Sequence, residues 1–367
     1  MIYRAIGIMS GSSINGVDIA FVEFVEAAGK WTYEVINADI VPYSAEWQEQ
    51  LKTASTLNAL EFSKLHTSYG RYLAQEVNQF IDKNNLHHRV QFIASHGHTV
   101  FHEPHNHTTV QIGCGASIAA LTGINVISDL RSIDIALGGQ GAPIVPMAEK
   151  LLWPQHNMFL NLGGIANISA ITGDNNYVAF DVCPANGVLN RLANQADLEY
   201  DNNGDIARKG FVRDEVLFKL NQEPYYMVKF PKSLNNQFGL ETLLPKFKQA
   251  NLSTQDSLRT MVEHICIQIT RSVGRLLPKM AIDTNKTLFI TGGGAYNSFL
   301  IERLTASLKV MGVDVLVADK ETVEYKEAIA IALLGALRWR EANTTLASVT
   351  GANRSSIGGA MWIGQDA

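Results

Sequence analysis

The stretches GIMSGSSINGVDIAFVEF (Gly7 to Phe24) and FLNLGGIANISAITGDNNYVAF (Phe159 to Phe180) read alike, each as strand, glycine-rich turn, strand. A chain that carries this unit twice is most simply built as two related lobes. Gly11 and Gly16 in the first turn, and Gly163 and Gly164 in the second, admit positive φ. They let a bulky anion approach the main chain, where successive amides can cradle phosphate oxygens. A third turn, TGGGAYN (Thr291 to Asn297), holds Gly292, Gly293 and Gly294 and follows the apolar run Leu288 to Ile290. One glycine-serine turn would be an ordinary hairpin. Three matching turns point to a nucleotide cleft between the lobes.

The hydrophobic pattern extends this plan. Tyr3 to Met9, Val17 to Phe24 and Thr32 to Val41 predict an antiparallel meander. Leu60, Leu65, Tyr69, Leu73 and Val77 recur at helical spacing, and Arg89 to Gly97 reads as a buried strand. A short Ala-rich helix is expected over Ala116 to Leu121. The meander returns at Met158 to Leu162, Asn167 to Ile171 and Tyr177 to Phe180. Ser253 with Asp256 opens a helix whose apolar stripe runs from Leu258 to Leu276. Strands at Thr287 to Thr291 and Val313 to Val317 alternate with helices, the last over Lys326 to Arg340, as in an α/β fold with both sheet faces covered. Asn221 to Leu240 is the long irregular stretch, and such a loop is more often a functional flap than slack. The expected division is 1–128, joined by about 345–367, and 129–344.

At 367 residues and 46% hydrophobic, the chain exceeds the roughly 250 residues at which one core splits into two. A net charge of -5 supplies no basic field for a polyanion, so nucleic acid is not an expected partner. No apolar run reaches the roughly 18 residues of a spanning helix, and the opening segment lacks the pattern of a signal peptide. Cys114, Cys183 and Cys266 are far apart and include no CxxC pair, which argues against a disulfide framework. The expectation is a cytoplasmic enzyme with no membrane partner.

Five sites carry chemistry. In the first turn Ser10, Ser12 and Ser13 can donate to phosphate, and Asp18 could hold magnesium through water. In DLRSIDIALGGQGAPIVP (Asp129 to Pro146), Arg131 offers a planar fork for a carboxylate or phosphate, or else pairs with Asp129 or Asp134 and pins the loop. In FDVCPANGVLN, Asp181 ends a strand where a general base belongs, or caps the turn that follows. SHGHTVFHEPHNH raises two readings. His98 and His102 form HxxxH, but on a strand they would stand about 13 Å apart, so sugar-hydroxyl bonding by His96 or His98 is favoured over metal. Glu327 enters an Ala/Leu helix near its expected start, where a carboxylate also suits the helix dipole.

GIMSGSSINGVD, SHGHTVFH, QIGCGASIAALTG, SDLRSIDIALGGQGAPIVP, NLGGIANIS, FDVCPANGVLN, FITGGGAYN and KEAIAIALLG together resemble the anhydro-N-acetylmuramic acid kinases nearly end to end. That family lies in the superfamily of sugar kinases, actin and heat-shock chaperones. The resemblance implies two actin-like (ribonuclease H-like) lobes with a central interdomain cleft. It also implies ATP and Mg2+ as cofactors and a small-molecule amino sugar as partner, with a homodimer as the assembly. The implied reaction opens 1,6-anhydro-N-acetylmuramic acid with water and phosphorylates O6. Asp181 would be the base, and Glu327 and Arg131 would hold the sugar. ATP phosphates would rest on Gly11, Ser12, Ser13, Ile14, Asn15, Gly16, Val17, Asp18, Gly163 and Gly164, with adenosine near Gly292, Gly293 and Gly294.

The chain departs from the family at several positions: Asn15 replaces an aspartate, His98 a glutamine and Cys114 an aspartate. DVCPAN stands for DTGPGN, and SLNNQ (Ser233 to Gln237) for STGRE. A kinase for another amino sugar, a degenerate binder acting as a sensor, and a metal-dependent carbamoyltransferase-like member that uses HxxxH are the alternatives.

Overall fold

The computed structural model describes residues 1–11, 13–173, 176–230, 232–235, 237–281 and 286–364. Contacts divide the chain into two compact units, Met1–Pro154 with Tyr325–Ala367, and Gln155–Glu324.

In the first unit β1 (Ile2–Ser10), β2 (Gly16–Ala27) and β3 (Lys30–Pro42) form the expected meander. β4 (Phe92–Glu103) and β6 (Asn125–Ser128) extend the sheet in parallel with β1. β5 (Thr108–Ile112) folds back on β4, and β12 (Ala360–Trp362) closes the edge against β6. The sheet order is therefore β12-β6-β4-β1-β2-β3.

Side chains along β1 alternate between two helical layers. Ile6 and Ile8 join the core with Leu65, Tyr69, Leu73 and Val77 of the Ala59–Asn84 helix. That helix starts where Asn58 accepts from the amides of Leu60 and Glu61, and stops at Asn85 in the left-handed conformation. Gly7 faces the other way, onto the Lys320–Trp339 helix. A Cβ on Gly7 would lie 2.0 Å from the carbonyl oxygen of Ala328 and 2.9 Å from the amide of Ala332. Gly335 returns the compliment, since a Cβ there would sit 2.7 Å from that of Ala94 on β4. Phe92 and Trp339 stack at 5.3 Å beside this crossing. Backbone thus rests on backbone, at a separation that no side chain larger than hydrogen permits.

The second unit repeats the strand order. β7 (Met158–Leu162), β8 (Ile165–Ile171) and β9 (Tyr177–Pro184) make an antiparallel meander. β10 (Thr287–Thr291) and β11 (Asp314–Val317) follow in parallel with β7, giving β11-β10-β7-β8-β9. The Thr254–Leu276 helix buries Leu258, Val262, Ile265, Ile269, Val273 and Leu276, as its spacing predicts, and Ser253 caps it by accepting from the Asp256 amide. Each unit is therefore an α/β ribonuclease H-like element, three strands up and down followed by two crossing over in parallel, the plan of an actin-like lobe.

The boundaries differ from those read in the sequence, falling at 154 and 324 in place of 128 and 344. Buried polar contacts explain the shift. Asp134, fully buried, accepts from Thr350 Oγ1 and from the Gly141 amide, both at 2.8 Å. The Gln140 amide bonds the Thr350 carbonyl, and Lys326 pairs with Glu149 at 2.6 Å in the interior. These bonds tie residues beyond 128 to the C-terminal segment. The helix expected over Lys326 to Arg340 begins earlier, at Lys320, because Asp319 accepts from the Thr322 amide. Glu327 accordingly lies roughly two turns in, beyond the reach of the N-terminal dipole.

Gly7→Ala should lower stability by about 1–3 kcal/mol or more, because backbone has to give way to the added methyl. Gly274→Ala is the contrasting case: in the long helix its Cβ would meet only the flexible Met311 tip at 3.1 Å, and helix propensity should offset the contact. Urea unfolding midpoints at constant m-value distinguish the two.

Candidate active site

In the first unit β1 passes at Ser10 into the turn that precedes β2. The turn is closed by Ile14 N–H to the Gly11 carbonyl at 3.3 Å, with Ile14 at φ 52, and by Ser13 Oγ to Asn15 Oδ1 at 2.7 Å. The Tyr43 amide bonds the Asn15 carbonyl at 3.2 Å. At Gly16 a Cβ would lie 2.6 Å from the Val41 carbonyl, so glycine lets β2 and β3 close at the base of the turn. Of the residues expected on this turn, Ser12 lies outside the described residues. Val17 has its side chain in the hydrophobic core and can offer a ligand only backbone.

Asp18 stands opposite Met9 on β2, half-buried. Loss of solvent, and then the charge of Glu327, push its carboxyl up to about 7. Glu327 keeps an accessible carboxylate in a dense protein surround. That surround raises its pKa, against the opposing pull of Arg131 and Lys326. Asp18, Glu327 and Arg131 therefore form one electrostatic neighbourhood in this unit, with two carboxylates close enough to disfavour each other's charge.

Arg131 is half-buried and braced on two sides. Its Nε donates to His96 Nε2 at 2.9 Å and its Nη1 to the Gly141 carbonyl at 2.5 Å. Desolvation lowers its pKa to about 10, with Glu327 and Asp134 pulling it back up. It forms no direct ion pair with Asp129, whose carboxylate takes the Ser132 hydroxyl at 2.5 Å.

His96 and His98, read from sequence as partners for sugar hydroxyls, are 4% and 5% exposed. Burial lowers both pKa values and holds the rings neutral. Both nitrogens of His96 are taken, by Arg131 and by the Gly97 carbonyl at 3.0 Å, which leaves none for a ligand. His98 Nδ1 pairs with Ser10 Oγ at 2.9 Å, and Ser10 continues to the Tyr43 hydroxyl at 2.7 Å and thence to Tyr69 at 2.5 Å. His102 bonds Thr109 Oγ1 instead. β4 runs on through His102 to Glu103, so the HxxxH pair stays spread along a strand. Among the described residues no group of three or more His, Cys, Asp and Glu is arranged to hold a metal ion.

In the second unit the two remaining glycine turns meet. Gly292, at φ 83, would put a Cβ 2.4 Å from Asn161 Oδ1, and Gly294 would put one 2.7 Å from Leu162 Cβ. Asn186 joins them: its amide donates to the Gly163 carbonyl at 3.1 Å and its Nδ2 to the Leu162 carbonyl at 3.0 Å. Gly163, Gly164, Gly293 and the start of the Asn186–Ala193 helix thus share one surface at the ends of β7 and β10, the place where open α/β sheets bind ligands. Asn161 and Asn186 are the residues that sequence reading missed. Asn186 stands in the FDVCPANGVLN motif, yet its partners become visible only when that turn docks on Leu162.

Asp181 lies on β9 and is half-buried. Its Oδ2 accepts from the Leu234 amide at 2.8 Å, its amide donates to the Lys232 carbonyl at 3.1 Å, and its carbonyl accepts from the Tyr225 hydroxyl at 2.7 Å. Among the described residues nothing bonds Oδ1. Desolvation raises the Asp181 pKa, while the Leu234 amide and the Lys232 charge restrain it. Lys232 itself bonds the Tyr225 carbonyl and sits 4.1 Å over that ring. The Asn221–Leu240 stretch is therefore braced. It grips Asp181 at one end, and at the other Tyr226 bonds the buried His264 at 3.0 Å and His264 bonds Asn221 at 2.9 Å.

Comparison with known sequences accords with these motifs. The sequence model of the family described as anhydro-N-acetylmuramic acid kinase matches residues 3–364. Three relatives, each named anhydro-N-acetylmuramic acid kinase, are similar over almost their whole length. The one from Pasteurella multocida is 34% identical over 97% of this chain and 96% of its own. That from Bacillus cereus is 33% identical over 96% and 97%, and that from a Shewanella species 35% over 96% and 96%. With the repeated ribonuclease H-like plan, the order of its glycine turns and this end-to-end match, the chain belongs to the anhydro-N-acetylmuramic acid kinase family.

Proposed function

We propose that this chain is an ATP-dependent kinase that opens the anhydro bridge of 1,6-anhydro-N-acetylmuramic acid with water and phosphorylates O6. The products are N-acetylmuramic acid 6-phosphate and ADP, a step in cell-wall recycling. The observation that carries the reading is the family match over residues 3–364 in a chain that keeps Asp181, Glu327 and Arg131.

Asp181 takes the role of general base. Oδ2 is occupied by the Leu234 amide, which orients the carboxylate and leaves Oδ1 to receive a proton from water. The water oxygen then bonds the anomeric carbon, the C1–O6 bond breaks, and O6 accepts the γ-phosphoryl group as ADP leaves. A carboxyl whose pKa is raised by desolvation is a stronger proton acceptor than an exposed aspartate, which suits this task. Arg131 and Glu327 contribute a donor fork and an acceptor for the sugar. Backbone amides of Gly11 to Asp18 and of Gly163 and Gly164 receive phosphate oxygens, with adenosine near Gly292 to Gly294.

A magnesium ion at the first turn is part of the same proposal. Asp18 would hold it through water, the cation offsetting the repulsion that Glu327 exerts on that carboxylate, and Asn15 puts a neutral amide where the family carries an aspartate. When bound, the ion would neutralise charge developing on the transferred phosphoryl group. Cytoplasmic location and a homodimeric assembly belong to the same proposal and rest on the resemblance alone.

Asp181→Asn should cut kcat by roughly 10² or more while ATP affinity stays nearly unchanged; a near-normal rate in a coupled ADP assay would remove the base assignment. Because the base works ionised and its pKa is raised, kcat/KM should fall with falling pH through a value above the 3.8 of an ordinary aspartate. Lys232→Met removes the cation that restrains this pKa, so the acid limb should move to higher pH. A limb that stays put, or moves down, contradicts the assignment.

A further inference from the structure

The guanidinium of Arg131 presents five N–H donors and no acceptor. Its bond to His96 Nε2 therefore requires that nitrogen to be unprotonated, which places the ring proton on Nδ1, where it is donated to the Gly97 carbonyl at 3.0 Å. Both ring nitrogens are thus spent inside the protein, with the imidazole 4% exposed. Burial and the neighbouring guanidinium also depress the His96 pKa to about 3, so the acceptor at Nε2 persists across the working pH range.

The opposite side of the guanidinium is fixed by a second, separate chain of bonds. Nη1 donates to the Gly141 carbonyl, the Gly141 amide donates to Asp134 Oδ2, and Asp134 Oδ1 takes the hydroxyl of Thr350. Asp134 is fully buried, so this chain ends on a group that cannot exchange its partners for water. Two of the five donors of Arg131 are committed. Both hydrogens of Nη2 and one of Nη1 have no partner among the described residues.

We propose that His96 is a positioning residue for sugar binding: as a buried Nδ1–H tautomer it grips Nε of Arg131 and turns the remaining Nη edge toward the oxygens of the ligand. This replaces the direct hydroxyl contact expected from sequence, and it rests on the reading that Arg131 holds the sugar. The physical advantage is entropic, since a guanidinium locked on two sides has little rotamer freedom to lose when it binds.

The test is a double-mutant cycle on the full chain, read as the dissociation constant of 1,6-anhydro-N-acetylmuramic acid by calorimetry, with ATP affinity and thermal unfolding measured alongside. His96→Leu should weaken sugar binding about 10- to 100-fold, the size expected for a hydrogen bond to a charged group, and leave ATP affinity unchanged. His96→Gln keeps an acceptor and should recover most of the loss. His96→Asn can still reach Gly97 but not Arg131, and should bind as poorly as His96→Leu; the Gln and Asn pair carries the test if the leucine variant does not fold. In an Arg131→Ala background, His96→Leu should have no further effect. An equal loss in both backgrounds, or no loss in the Arg131 background of the natural chain, overturns the inference. If Arg131→Ala itself leaves sugar affinity intact, the sugar-holding role of Arg131 falls and the inference falls with it.

Discussion

The contact of Gly7 with the Lys320–Trp339 helix sets the geometry of the first unit. A carbonyl of the helix lies where the side chain of residue 7 would begin, so the helix axis is brought as close to the sheet as backbone allows. Ala328 and Ala332 form the helix side of that contact, and Gly335 lets the same helix approach Ala94 and Phe92 on β4. Glu327 is adjacent to the point of closest approach. Asp18 lies on β2, the strand paired with β1, and the charge of Glu327 contributes to its raised pKa. The electrostatics of this unit thus follow from a packing constraint.

A second theme is that polar groups near the candidate site are seated by other buried polar groups. Asp134 anchors Gly141, which anchors Arg131, which also leans on His96. Ser10 is seated in the same way by His98 and Tyr43 at the mouth of the first turn. Desolvated networks of this kind have few alternative arrangements, because each lost bond leaves a buried group unpaired. They supply rigidity where the proposed chemistry requires defined directions.

The second unit achieves the same end with main chain. Asp181 is tied at its amide, its carbonyl and one carboxylate oxygen to a single segment, Tyr225 to Leu234. That segment would be called a loop from its sequence. Its bonds to Asp181 make it part of the wall around the carboxylate, and its bonds to His264 root it in the core. The position of Lys232 over the Tyr225 ring keeps a positive charge close enough to restrain the Asp181 pKa without forming an ion pair with it.

Much of the architecture was legible in the residues. The two meanders, the stripe of the Thr254–Leu276 helix and the three glycine turns follow from local rules of periodicity, capping and backbone freedom, and the motif order identifies the family. Asp181, Glu327 and Arg131 stand out by residue type and place. Their partners did not, because Ser10 meets His98 through strand register, Thr350 meets Asp134 across 216 positions, and Leu234 reaches Asp181 across 53. The domain boundaries depended on bonds of the same long range, such as Lys326 to Glu149. Sequence by itself determined which elements form and which chemical groups the chain carries, since both depend on neighbours a few residues away. Only the tertiary structure decided which groups are desolvated, which nitrogen of His96 bears the proton and which oxygen of Asp181 stays open. Those properties depend on distances between segments that no local rule encodes.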